Sequence, residues 1–169
     1  MTTSLLSDAF AHHVWATELL IDACTALSPE QLKTPAPGTY GSIADTLRHI
    51  VGSDSWYLSF FRSEQTAPID EERMSLAELR SVMTNNGNAW TELLASEIDP
   101  DADVVESDDG LEFLSPTGVR LAQVIHHGTD HRSQVCTALT SLGLTPPEID
   151  VWAFARATGR ERAAGASAP

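Results

Sequence analysis

His127 and His131 stand four residues apart in the run Ile125-His-His-Gly-Thr-Asp-His-Arg-Ser-Gln134. On an α-helix that spacing puts both side chains on one face, one turn apart, so two imidazoles can grip a single metal ion. A pair is half a site, because catalytic metal centres take three protein ligands and leave one position open. The remaining histidines are His12, His13, His49 and His126. His126 lies about 100° around the helix from His127, so the two cannot both face inward. His12 and His13 fall near the start of the first helical segment, where a solvated or partly packed imidazole is ordinary. His49 is mid-helix in Asp45-Thr-Leu-Arg-His-Ile-Val51, on a different segment from the pair, as a cross-helix site requires. Spacing alone does not select it, and a bundle without any metal remains open.

Around these histidines stand side chains able to orient an imidazole or a ligand. Asp45 is one turn before His49 and Ser53 one turn after it, while Gln134 follows His131 by three residues. Each has a plainer reading: early-helix charge favoured by the macrodipole for Asp45, small-residue packing for Ser53, a helix–helix hydrogen bond for Gln134. Trp56, two turns beyond His49, is placed to line an approach to the site, and Trp152 to cover its mouth. Cys24 and Cys136 sit in apolar helical contexts and read as buried free thiols. No Ser-His-Asp arrangement, phosphate-cradling glycine loop or CxxC occurs.

The elements that must position these groups are helices. Apolar residues recur at helical spacing over 4–27, 42 to about 64, 75 to about 98, and from Thr117 to near Gly143. Ser28 with Gln31 and Ser75 with Glu78 are capping-box pairs, and Thr117 is placed to cap the last long helix. Thr34–Gly41, with its prolines and glycines, reads as a loop, and Pro68 ends the linker after the second long helix. Gly87 marks a close approach between helices. Between 103 and 114, two short apolar runs flank Asp109-Gly110, a hairpin signal, so a short β-ribbon or a plain loop is expected. A short final helix follows Pro146-Pro147. The fold expected is all-α: a four-helix bundle with one long crossover connection, one domain over 1–157, and a disordered tail over 158–169.

Composition narrows the partners. The chain of 169 residues carries 10 Lys and Arg against 24 Asp and Glu, a net charge of −14, which repels phosphate backbones and anionic membranes alike. Neither a basic, apolar leader nor a run approaching the roughly 20 apolar residues of a membrane span is present. The reading is a soluble, cytoplasmic chain that binds a small molecule, not nucleic acid or membrane.

Two segments resemble the DinB/YfiT-like family of metalloenzymes. One is Leu47-Arg48-His49-Ile50-Val51 with Trp56 downstream. The other is His127-Gly-Thr-Asp-His131-Arg-Ser-Gln134, similar to the family's His-x-x-x-His-Arg-Gly-Gln. With the helix order and the Pro-Pro-Glu-Ile-Asp-Val-Trp ending, the likeness covers most of residues 5–155. It departs at Ser133, where relatives more often have Gly, and at Asp130, where many carry another residue. The resemblance implies a four-helix bundle, a homodimer, and a three-His metal site made by His49, His127 and His131. All-nitrogen ligation suits several divalent transition metals, zinc first and nickel next. Some branches of the family are thiol-dependent S-transferases, so a low-molecular-weight thiol is an expected co-substrate. Hydrolysis by bound hydroxide, or a non-catalytic metal-binding, stress-related bundle, are the competing readings.

Overall fold

The structure, a computed structural model, describes residues 6–35, 38, 40–61 and 69–163. Four long helices form the body: α1 (Ser7–Cys24), α3 (Ile43–Ser59), α4 (Leu76–Ala95) and α5 (Thr117–Ser141). A single turn, α2 (Pro29–Leu32), precedes α3, and α6 (Val151–Ala157) closes the chain. The helices pack mainly as a ring in which α1 and α3 each touch α4 and α5. The long crossover is the stretch from α4 to α5, which joins helices across the ring and carries the ribbon. The link from α1 to α3 also joins helices that are not principal neighbours.

Helix starts follow local chemistry. Ser28, Ser42 and Ser75 each accept from the backbone N–H three residues on, while Gln31, Asp45 and Glu78 reach back to the cap. Thr117 does not cap α5. The cap position is Pro116, and Thr117 is instead the first helical residue, donating its hydroxyl to the Ala102 carbonyl. Of the two readings left open near 103–114, ribbon or plain loop, the structure has the ribbon: a hairpin of β1 (Asp103–Asp108) and β2 (Leu111–Pro116), antiparallel, with Asp108 opposite Leu111. Asp109 and Gly110 both take positive φ (47° and 78°), the conformation a two-residue hairpin turn demands and Asp-Gly supplies.

Several boundaries are tighter than periodicity suggested. α1 ends at Cys24, α4 ends at Ala95, and α6 begins only after Asp150, whose carboxylate accepts from the N–H groups of Trp152 and Ala153. α3 stops at Ser59; the expected extension to 64 and the Pro68 breaker fall partly or wholly outside the described residues. Of the tail expected to be disordered, residues 158–163 are described and Arg160 pairs with Asp8, while 164–169 lie outside. At Gly87 a Cβ would come within 2.9 Å of Val14, so the glycine permits the α1–α4 approach.

The core has two apolar layers. Leu20, Ile21, Ile50, Val51, Met83 and Val135 belong to one, and Phe10, Tyr57, Trp90, Leu121 and Val124 to the other. Between them, each of the four long helices supplies a buried polar residue: His13 and Thr17 from α1, Asp54 from α3, Asn86 from α4 and Arg132 from α5. No described helix is long and apolar enough to cross a membrane.

Candidate metal centre

His49 comes from α3, and His127 and His131 from α5. One ligand atom from each lies within 4.8 Å of the others, close enough to face one ion, and no fourth His, Cys, Asp or Glu among the described residues joins the group. His49 Nε2 and His127 Nε2 are 3.0 Å apart. That contact needs one N–H and one lone pair, so at least the accepting ring is neutral, and the shared proton is one that a cation would displace. His126, as expected from its angle on α5, is exposed.

Gln134 sets the tautomer of His131. Its amide nitrogen donates to the Gly38 carbonyl, which fixes the amide's orientation. Its Oε1 then accepts from Tyr40 N–H and lies 2.7 Å from His131 Nδ1. An acceptor at Nδ1 requires Nδ1–H there, which leaves the Nε2 lone pair of His131 free to bind a metal. Of the three side chains flagged as orienting groups, Gln134 is the one placed to act. Asp45 is engaged in the Ser42 capping box and pairs with Arg48, with the Ser42 hydroxyl as the main cause of its lowered pKa. Ser53 is half-buried.

Tyr40 was not singled out by its sequence context. Its ring stacks on His49 at 4.0 Å between centroids and meets His131 edge-on at 5.5 Å, closing one end of the site. At the other end Tyr57 meets His127 edge-on at 5.9 Å and accepts from Gln123. Trp56 lies beyond, 44% exposed, against Tyr57 and Phe60. Trp152 is not at the mouth. Its helix packs on α1, with Phe154 against His12 and Trp15, because Asp150 starts α6 away from the α3–α5 groove. A separate cleft of about 340 Å³ between α1 and α4, on the opposite edge of the ring, contains none of the three histidines.

Behind the site runs the buried polar layer. Arg132 Nη1 donates to His13 Nδ1 at 2.9 Å, and His13 Nε2 lies 3.0 Å from Asp54 Oδ1. Arginine has no acceptor, so His13 must be a neutral ring with its proton on Nε2, donated to Asp54. Trp90 Nε1–H also donates to Asp54, and Arg132 further donates to Thr17 and Thr129. His13 is therefore not a solvated residue near a helix start. It is 1% exposed and bridges an arginine to a carboxylate. A Cβ at Gly128, inside the motif, would lie 2.6 Å from His13 Nδ1. That glycine makes room for the bridge.

Electrostatics favour uncharged imidazoles in the cluster. Burial, then the neighbouring His131 and His49, pushes His127 down to about 4. Burial and His131 also lower His49, while the Glu71 carboxylate, which lies against Gly52, pulls it partly back. Cys24 is pushed up to about 12 and Cys136 is raised, both chiefly by burial, so neither thiol is a ready nucleophile.

A model of the DinB family matches residues 1–164. The chain belongs to the DinB family. Among curated proteins nothing matches. For this DinB-family chain the three-His cluster is a group that could hold a metal ion, and its donor set fits one: three nitrogen donors, two of them held neutral, with no competing carboxylate in the cluster.

Two expectations follow at this site. Because burial and neighbouring rings hold His127 and His49 below the ordinary imidazole range, divalent-metal binding should survive to lower pH than it would at a site of unperturbed imidazoles. A titration followed by calorimetry that shows half-loss at 6.5 or above would contradict this. Gln134→Ala should weaken metal affinity by roughly 10–100-fold, the usual cost of losing a partner that orients a ligand, without removing a ligand itself. An unchanged dissociation constant would mean that the His131 tautomer is set elsewhere.

Proposed function

We propose that this chain is a metal-dependent enzyme acting on a small molecule, a thiol-dependent S-transferase. His49, His127 and His131 hold a divalent transition metal, zinc ahead of nickel. The observation that supports this reading is the convergence of three nitrogen donors from two helices with no fourth ligand in the group, the pattern of an open rather than a closed site. A divalent ion bound there supplies Lewis acidity, lowering the pKa of a thiol or a water that reaches it. The chain's own residues do the rest. Gln134 presents the His131 lone pair, and Tyr40 covers one side of His49.

The thiol has to come from outside, since Cys24 and Cys136 are buried or half-buried and raised in pKa. In transfer, the thiol loses its proton, sulfur bonds to an electrophilic carbon, and the leaving group departs with its electron pair. Hydrolysis is the second reading, because an open position admits water as readily as a thiol.

The test is metal analysis of the purified protein, then conjugation of monochlorobimane with a panel of low-molecular-weight thiols. Metal-dependent loss of chloride with one thiol supports transfer. No conjugation with any thiol by a metal-loaded protein shifts weight to hydrolysis or binding, and no stoichiometric metal ends the proposal.

A further inference from the structure

We infer that the Arg120 end of the α3–α5 interface is a recognition site for a flat, conjugated ligand bearing an uncharged acceptor oxygen, which takes the free Nε–H of Arg120. This rests on the reading of the three-His cluster as a small-molecule site and says which end of the molecule the protein recognises.

The two helices pack antiparallel: His49 faces His127 and His131, Tyr57 meets Gln123, and Phe60 lies under Arg120. Arg120 is two turns from His127 on nearly the same line of α5, about 10 Å along the axis. One molecule can therefore reach from the imidazoles to the guanidinium.

Arg120 is 6% exposed, and its charge is already balanced. Its Nη2 donates to Glu106 Oε2 at 3.0 Å and to Ser115 Oγ at 3.1 Å. Its Nε–H is buried and has no hydrogen-bond partner among the described residues. Buried donors are nearly always paired, so an unmet one beside a candidate site marks a place for a ligand atom. With Glu106 opposite and a net charge of −14 on the chain, a second anion is disfavoured, and a neutral carbonyl-type oxygen fits better.

The surroundings are aromatic. The guanidinium carbon lies 4.2 Å from the Phe60 ring centre and 5.9 Å from that of Trp56. Phe113, paired across the ribbon with Glu106, adds a half-exposed ring on the same side. Trp56 is the more exposed of the two rings flanking the guanidinium, so it is the one that swings aside to admit a flat ligand and then stacks on it.

The test uses metal-free protein and no thiol, so its failure leaves the metal reading standing; loss of metal binding with this site intact sinks only that reading. Acetophenone and ethylbenzene, matched in shape but not in the carbonyl, are titrated while the Arg120 Nε–H resonance is followed by ¹⁵N NMR, assigned through contacts to the Phe60 ring. Acetophenone should move the resonance and bind roughly tenfold to a hundredfold more tightly than ethylbenzene, the worth of one hydrogen bond to a charged donor. Arg120→Lys, which keeps the charge beside Glu106, should abolish that preference, and Trp56→Leu should weaken both ligands. A stationary resonance, a preference that survives Arg120→Lys, or tighter binding of benzoate than of acetophenone overturns the inference. If Arg120→Lys does not fold, the wild-type resonance and the ligand pair decide.

Discussion

His131→Ala should abolish stoichiometric metal binding while leaving the bundle folded. The imidazole is one of three donors in the cluster and, among the described residues, the only one whose other ring nitrogen meets a side chain that sets its tautomer. Losing a ligand should cost more than the roughly 10–100-fold expected for loss of the orienting Gln134. Stability should change little, because His131 is half-buried at the groove and the core layers do not depend on it. His126→Ala, one residue before His127 but exposed, is the matched control and should bind metal as the unmodified chain does. Metal content after dialysis, measured beside a thermal melt, reads both quantities. Full occupancy in His131→Ala would remove this cluster from consideration.

The second large effect is on stability. Asp54 is 2% exposed, accepts from Trp90 and from His13, and through His13 balances the buried Arg132 guanidinium. Asp54→Ala removes the only carboxylate in that chain of contacts and strands a buried positive charge. Breaking a buried pair from one side costs about 3–5 kcal/mol, which for a chain of this size lowers the melting temperature by roughly 6–20 °C. Asp54→Asn, which keeps an acceptor but not the charge, should fall between the two. The Arg132 pKa, lowered to about 10 chiefly by burial and held up by Asp54, leaves the guanidinium charged at neutral pH, so the loss is not relieved by deprotonation. A melt of Asp54→Ala within a degree or two of the unmodified chain would show that solvent reaches Arg132 and that the polar layer is not the strut described.

Local chemistry was the legible part. Ser28 with Gln31 and Ser75 with Glu78 cap helices as their spacing implies, and Asp109-Gly110 turns a hairpin, because caps and two-residue turns are decided within four residues of chain. Ligand candidates were legible for the same reason: His127 and His131 share a helical face at fixed spacing. Helix ends were less so. Thr117 has the side chain of a cap, yet its hydroxyl finds the Ala102 carbonyl in the preceding turn, a contact that depends on where the ribbon folds back.

Other groups were invisible until the helices met. His13 is 41 residues from Asp54 and 119 from Arg132, and no spacing rule joins them. Tyr40, in a loop of prolines and glycines, reaches His49 because the chain folds back at the start of α3 and Gln134 ties its backbone to α5. Trp152 failed in the other direction: being aromatic and near the end of the chain did not bring it to the groove, since Asp150 starts its helix on α1.

Sequence by itself determined the long helices, the Asp109-Gly110 turn signal and the His127–His131 pair, since backbone hydrogen bonding and side-chain periodicity act over a few residues. Tertiary structure decided what those residues face. The packing of α3 against α5 brings His49 to the pair and leaves Arg120 Nε without a partner. The packing of α1 against α4 and α5, across the ring from α3, turns His13 from an ordinary histidine into the bridge between Asp54 and Arg132. Burial and the contacts it enforces are properties of distant segments brought together, and no short stretch of the chain contains them.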